Sequence, residues 1–292
     1  MNLVNKEQVK KKMASRLFTN RILQGLLLLA TLFGLIVLGV LIYRMTTQGI
    51  GYLSLDFFTN FASRFPEQAG IKAAIVGTLW LMAVTIPVSL ILGVGTALYL
   101  EEYAPKNRFT RIIQVNIANL AGVPSIVFGL LGLTIFVRLA EMGQSVLAGG
   151  YTLSLLILPV IVVASQEALR SVPKEMRDAS YAMGATKWQT IQRVVLPASI
   201  PGILTGSILA FSRAIGETAP LIVIGALTYV AFLPENLYSG FTAMPIQIYN
   251  WATRPQIEFQ ELAAAGIIIL LLMLIILNSI AVLIRNKFQK RY

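Results

Sequence analysis

Charged residues are missing from five long stretches of the chain, Ile22 to Tyr43, Ala73 to Leu100, Ile112 to Val137, Met142 to Gln166 and Leu262 to Ile284. Each is at or above the roughly 20 residues with which an apolar helix crosses a bilayer. The first follows a basic segment, yet its apolar run is longer than the roughly 7 to 15 residues of a secretory signal core, and no small-x-small cleavage site follows. It is read as a retained anchor helix. A sixth apolar region, Val194 to Pro234, is interrupted by Arg213 and Glu217 and has the length for one span with flanks or for two short ones.

The basic residues choose between these options. With one span there, the inward segments Met1 to Arg21, Glu101 to Arg111, Glu167 to Arg193 and Arg285 to Tyr292 hold eighteen of the 24 Lys and Arg, and the outward positions Arg44, Arg64, Lys72, Arg138 and Arg254 hold five. A seventh span would carry the basic tail outside, against the positive-inside rule. The expected architecture is therefore an all-α polytopic membrane protein with six transmembrane helices and both termini cytoplasmic. A basic N-terminus (1–21) precedes the anchor helix (22–43), an external loop (44–72), a core of five spans (73–284) and a basic tail (285–292).

Composition narrows the chemistry. The 292 residues are 56% hydrophobic and 13% charged, with a mean hydropathy of +0.73, whereas a soluble domain is about a quarter charged. There is no cysteine and no histidine, which excludes disulfides, thiolate or imidazole zinc sites and histidine-based nucleophile pairs. No catalytic residue, metal site or cofactor is expected. The net charge of +11 is spread over the inward loops, so it reads as topology and attraction to anionic membrane lipid, not as nucleic-acid binding. Trp80 and Trp251 suit interfacial belts. Pro87, Pro124, Pro159 and Pro220 fall inside apolar runs, where a missing backbone donor favours the broken helices that line cavities in transporters.

The most informative polar segment is Glu167 to Pro197. Pro173 suits the first turn of a helix whose apolar face is Met176, Ala179 and Met183. Gly184 ends it, because glycine tolerates the left-handed conformation. Thr186 followed by Gln189 has the spacing of a capping box, Trp188, Ile191 and Val195 give a second apolar stripe, and Pro197 is expected to stop that helix. A small amphipathic hairpin between two spans either docks onto a partner or packs on its own spans.

Asp178, Ala179 and Ser180, three residues, Gly184, nine residues, then Val194, one residue, Leu196 and Pro197 resemble the EAA signature of ABC importer permeases, Glu-Ala-Ala-x3-Gly-x9-Ile-x-Leu-Pro. Asp178, Ser180 and Val194 are conservative departures from it. The strings Gly122-Val-Pro-Ser-Ile-Val-Phe-Gly-Leu130 and Ser212-Arg-Ala-Ile-Gly-Glu-Thr-Ala-Pro220 resemble the phosphate-specific branch of that family. The resemblance covers roughly Ala73 to Ile284 and implies the MetI-like importer-permease fold. It makes Asp178, Ala179, Ser180, Met183 and Gly184 the positions that seat in a cytoplasmic ATPase. It also implies a second, similar permease subunit, two copies of that ATPase, and an external phosphate-binding protein that delivers inorganic phosphate. No Gly-x4-Gly-Lys-Ser/Thr cradle occurs in the chain, so ATP hydrolysis is assigned to the partner and the chain to transport.

Arg213 and Glu217 are four apart and would share a helix face. Each costs about 2.5 to 3.5 kcal/mol at the centre of a bilayer on insertion scales, so both are expected to face protein or a watered cavity. Arg before Glu is the poorer order for an ion pair within one helix, which favours a role in the substrate path over a purely structural pair. Arg213 would attract an oxyanion with its planar fork, Glu217 would accept a hydrogen bond from a protonated phosphate oxygen and repel sulfate, and Thr218 with Pro220 would begin a half-helix whose amides point at the anion. A permease of the same fold for sulfate, molybdate or an amino acid is the rival reading; a membrane enzyme or a passive channel is a more distant one.

Overall fold

The computed structural model describes residues 6–226 and 229–288, and among these every regular element is helical. They form twelve α-helices: α1 (Lys6–Gly49), α2 (Leu55–Thr59), α3 (Lys72–Leu98), α4 (Arg108–Leu120), α5 (Ser125–Gly132), α6 (Val146–Arg170), α7 (Lys174–Ala182), α8 (Lys187–Thr190), α9 (Leu196–Gly216), α10 (Ala219–Ile224), α11 (Met244–Ala252) and α12 (Ile257–Phe288). Widened π-turns extend α3 through Tyr99–Tyr103 and α5 through Leu133–Leu139, and join α8 to α9 through Ile191–Val195.

Five helical stretches are long and apolar enough to cross a membrane, and a sixth counts if the bent pair α4–α5 is one span. The expected third span is thus corrected. Ile112 to Val137 is not one rod but two helices meeting at 105°, because Gly122 and Pro124 break the backbone ladder and Pro124 restarts it at the head of α5. The region after Val194 holds one span, α9, followed by the short α10, which agrees with the expected count.

The core is built around α6, two thirds of whose most apolar window is buried, while the corresponding windows of α1 and α12 hold no fully buried residue. Small residues let the neighbours come close: a Cβ at Gly150 would meet the side chain of Val84 on α3, and one at Gly206 on α9 would collide with the Cβ of Ala164. Hydroxyls tie α3 to α6, with Thr85 Oγ1 donating to Gly150 O at 3.2 Å and Ser154 Oγ to Thr85 O at 3.3 Å. The apolar outer faces of α1 and α12 need lipid or another chain as solvent.

Trp251 is not an interfacial belt residue. It is fully buried on α11 against Phe57, with Phe259 in the same cluster, and Met244 at the head of α11 donates its amide to Thr78 Oγ1 at 2.9 Å. Burial of a large aromatic in this sheltered cap outweighs the statistical preference of tryptophan for headgroups.

Candidate coupling hairpin and intramembrane charge pair

The Glu167 to Pro197 segment folds as a helical hairpin. Pro173 sits one position before the first turn, as the N-cap of α7. At the other end Gly184 has φ +80°, and the amides of Gly184 and Ala185 donate to the carbonyls of Tyr181 and Ser180 at 2.9 and 3.2 Å. That pair of bonds is a Schellman closure, in which glycine is favoured at the left-handed position. Thr186 and Gln189 form the expected capping box, at 3.3 and 2.8 Å. Ser180 Oγ lies 2.9 Å from Thr190 Oγ1, pinning the two arms together.

Pro197 does not stop the second arm. The π-turn over Ile191–Val195 shifts the local ladder to longer bonds, Leu196 N reaching Ile191 O, and Pro197 then occupies the first turn of α9, where its missing donor costs little. Lys187 to Gly216 is consequently continuous helix. The turn also splits the expected stripe, since Ile191 and Val195 are buried at 1% exposure and Trp188 is 56% exposed.

The apolar face of the hairpin is largely uncovered by the chain's own spans. Met183 is 88% exposed, Tyr181 is also exposed, and Asp178, Ala179 and Gly184 are exposed beside them. Met176, Ala179, Ser180, Met183, Gln189 and Arg193 line an open groove of 660 Å³ between the arms. An acidic pair that the sequence reading passed over braces the hairpin from the end of α3. Glu101 accepts from Arg170 Nη2 and Nε at 2.6 and 2.9 Å and from Gln166 Nε2 at 3.0 Å, and Glu102 lies 3.2 Å from Arg177. Lys187 stacks over Tyr103 at 4.9 Å. Two adjacent carboxylates in a loop of basic residues were the signal available for this brace.

The second locus lies at the other end of α9. Arg213 Nε donates to Glu217 Oε1 at 3.1 Å; the Arg213 side chain is 48% exposed and that of Glu217 16%. The two are not on one helix. Glu217 is the C-cap of α9 in extended conformation (φ −75°, ψ 127°), so Arg213 occupies the last turn and Glu217 lies in the gap before α10. The dipole argument therefore reverses: a cation near a helix C-terminus and a carboxylate ahead of the next N-terminus are both stabilised. Thr218 is the N-cap of α10 but its side chain makes no cap bond, and Pro220 stands in the first turn. The expected half-helix exists, six residues long, and packs on α5, where a Cβ at Gly129 would meet Pro220. The break therefore joins Arg213 to Glu217, with Thr218 next in the chain, while Asp178 to Gly184 lie apart from them on the hairpin.

The family described as the binding-protein-dependent transport system inner membrane component matches residues 89–291. The chain belongs to that family. As such a permease it is the membrane subunit of an ABC importer and a multi-pass inner-membrane protein. It is similar to the phosphate transport system permease protein PstA of Yersinia pestis, at 35% identity over 95% of this chain and 94% of that protein. It also resembles the probable ABC transporter permease protein YqgI of Bacillus subtilis, at 32% identity over 86% of this chain and 90% of that one. In fold the permease superposes on a chain of the crystal structure of a bacterial alginate ABC transporter in complex with an alginate pentasaccharide-bound periplasmic protein. The TM-score is 0.65 at 16% identity, over 91% of this chain and 94% of that one. The importer-permease fold expected from the sequence is the fold observed.

Proposed function

We propose that the permease carries inorganic phosphate, as one of two similar membrane subunits driven by a pair of cytoplasmic ATPases and supplied by an external phosphate-binding protein. The observation that carries the anion is the 35% identity to a phosphate transport permease along 95% of the chain. For coupling, support comes from the bare apolar face around Met183, which its own spans leave to a partner. In this reading Asp178, Ala179, Ser180, Met183 and Gly184 enter the ATPase, and both termini lie on its side of the membrane.

Arg213, Glu217 and Thr218 form the anion's path. Half of the Arg213 side chain is open, so an incoming phosphate oxygen can compete with Glu217 for the guanidinium without unfolding α9. Displaced, Glu217 can accept a hydrogen bond from the protonated oxygen that phosphate has and sulfate lacks. Thr218, whose hydroxyl does not cap α10, offers a further donor.

The chain has no native cysteine, so Met183→Cys introduces a single thiol at the hairpin tip. In the assembled complex it is expected to crosslink to an ATPase subunit carrying paired cysteines in its docking cleft. Labelled phosphate should accumulate in cells only when that ATPase is active. Accumulation of sulfate or molybdate instead would overturn the substrate, and failure of every crosslink would overturn the docking.

A further inference from the structure

On the hairpin's side of the bundle, the connection from α3 into α4 borders a second cavity, of 720 Å³, which neither the docking groove nor the charge pair uses. The charged residues that line it are Lys106, Arg108, Arg111, Arg170 and Glu101. Glu101 is already engaged by the Nε–Nη2 edge of Arg170 and by Gln166. Among the described residues no carboxylate pairs with Lys106, Arg108 or Arg111, so three cations face the cavity uncompensated. The loop that carries them is held in shape: Asn107 Oδ1 accepts from Thr110 N at 2.8 Å and Thr110 Oγ1 donates to Pro105 O at 2.7 Å.

Helix α4 explains why these cations stand together. Its inner face, Ile113 and Ile117, packs on the cluster around Leu100 and Leu169. Arg108 and Arg111, three apart, border the cavity with Gln114, while Phe109 and Ile112 are 69% and 58% exposed on a different face. A helix at 105° to the next membrane segment, apolar on one exposed side and basic on another, has the build of an element lying in a membrane interface.

We infer that the Lys106–Arg108–Arg111 cavity binds a phosphate-bearing anion, and that its place beside the exposed Phe109 and Ile112 makes an anionic phospholipid headgroup the occupant. Guanidinium forks match phosphate oxygens, and the acyl chains would run along the apolar side of α4. Free inorganic phosphate has the same headgroup chemistry, and the test separates the two.

The assembled transporter is placed in nanodiscs of phosphatidylcholine with a minor share of phosphatidylglycerol, and phosphatidylglycerol retained by the complex is measured by native mass spectrometry. Arg108→Gln with Arg111→Gln is compared with Arg285→Gln and Lys287→Gln, which remove equal charge from the end of α12. Each basic group near a membrane surface contributes about fivefold in affinity, so the α4 pair should lower retention about twenty-five-fold and the α12 pair should leave the tightly held lipid in place. Orthophosphate binding is measured separately in pure phosphatidylcholine, in the Arg213→Gln background to silence the transport path. Saturable binding lost with the α4 pair would assign the cavity to free phosphate. Equal effects of the two pairs on lipid, together with no orthophosphate binding sensitive to α4, would overturn the site.

Discussion

Replacing Gly184 with valine perturbs one turn and little else. The position has φ +80°, and a Cβ built there meets nothing within 4 Å, so the cost is backbone strain, not collision. A left-handed conformation costs an L-residue roughly 1 to 2 kcal/mol, and a β-branched side chain adds crowding. One or two kcal/mol is a factor of about 5 to 30 between closed and open turn. The penalty falls on a hairpin joined to the bundle through α6 and α9, so the buried contacts of α3, α6 and α9 remain intact. Insertion and subunit assembly should therefore survive, while phosphate uptake per assembled complex falls roughly in proportion to the closed fraction. Gly184→Asn supplies the control, since asparagine visits the same region readily and should retain most of the activity. Uptake of labelled phosphate and ATP hydrolysis are measured on purified, reconstituted complexes of equal subunit content. Wild-type coupling in the valine variant would refute the reasoning, because the turn would then not be required in the closed form.

Three further outcomes follow from the same geometry. Arg213→Gln removes a charge-assisted bond worth about 1.5 to 3 kcal/mol and should slow phosphate uptake about ten- to a hundredfold in correctly assembled protein; undiminished uptake would take Arg213 out of the path. Glu217→Gln should make sulfate a better competitor of phosphate, and an unchanged inhibition curve would dispose of the selectivity role. Gly206→Leu overpacks the contact with Ala164 and should destabilise the bundle by about 1 to 3 kcal/mol, read as a lower melting temperature in detergent with the hairpin crosslinks unaffected.

The spans were legible because an uninterrupted apolar run of membrane length has few alternatives. The hairpin was legible for a different reason: its turn chemistry is local, and Gly184, Thr186 and Gln189 carry their instructions within three or four residues. Hydropathy has no direction, so it could not register that Gly122 and Pro124 turn the chain through 105°, although Arg108, Arg111 and Gln114 marked α4 as amphipathic. Pro197 misled because a stop rule presumes an α-helical ladder, and the π-turn before it removes that premise. The charge pair was found by residue type, but its dipole sense came out reversed because α9 ends at Gly216, one residue short of Glu217. The brace of Glu101 and Glu102 depends on contacts 65 or more residues apart, beyond any local pattern.

Because the π-turn lets Trp188 and Arg213 ride on one unbroken rod, a displacement of the hairpin arm would reach the Arg213 guanidinium with no hinge between them. Leu196 and Arg213 are seventeen residues apart, about 26 Å at helical rise, so a tilt of roughly ten degrees about the lower end sweeps the upper end sideways by about 4 to 5 Å. Glu217 directly follows the last residue of the rod and its amide donates to Ala214 O at 3.3 Å, so the acid travels with the base. A tilt of the rod thus displaces the ion pair as one unit instead of separating its charges.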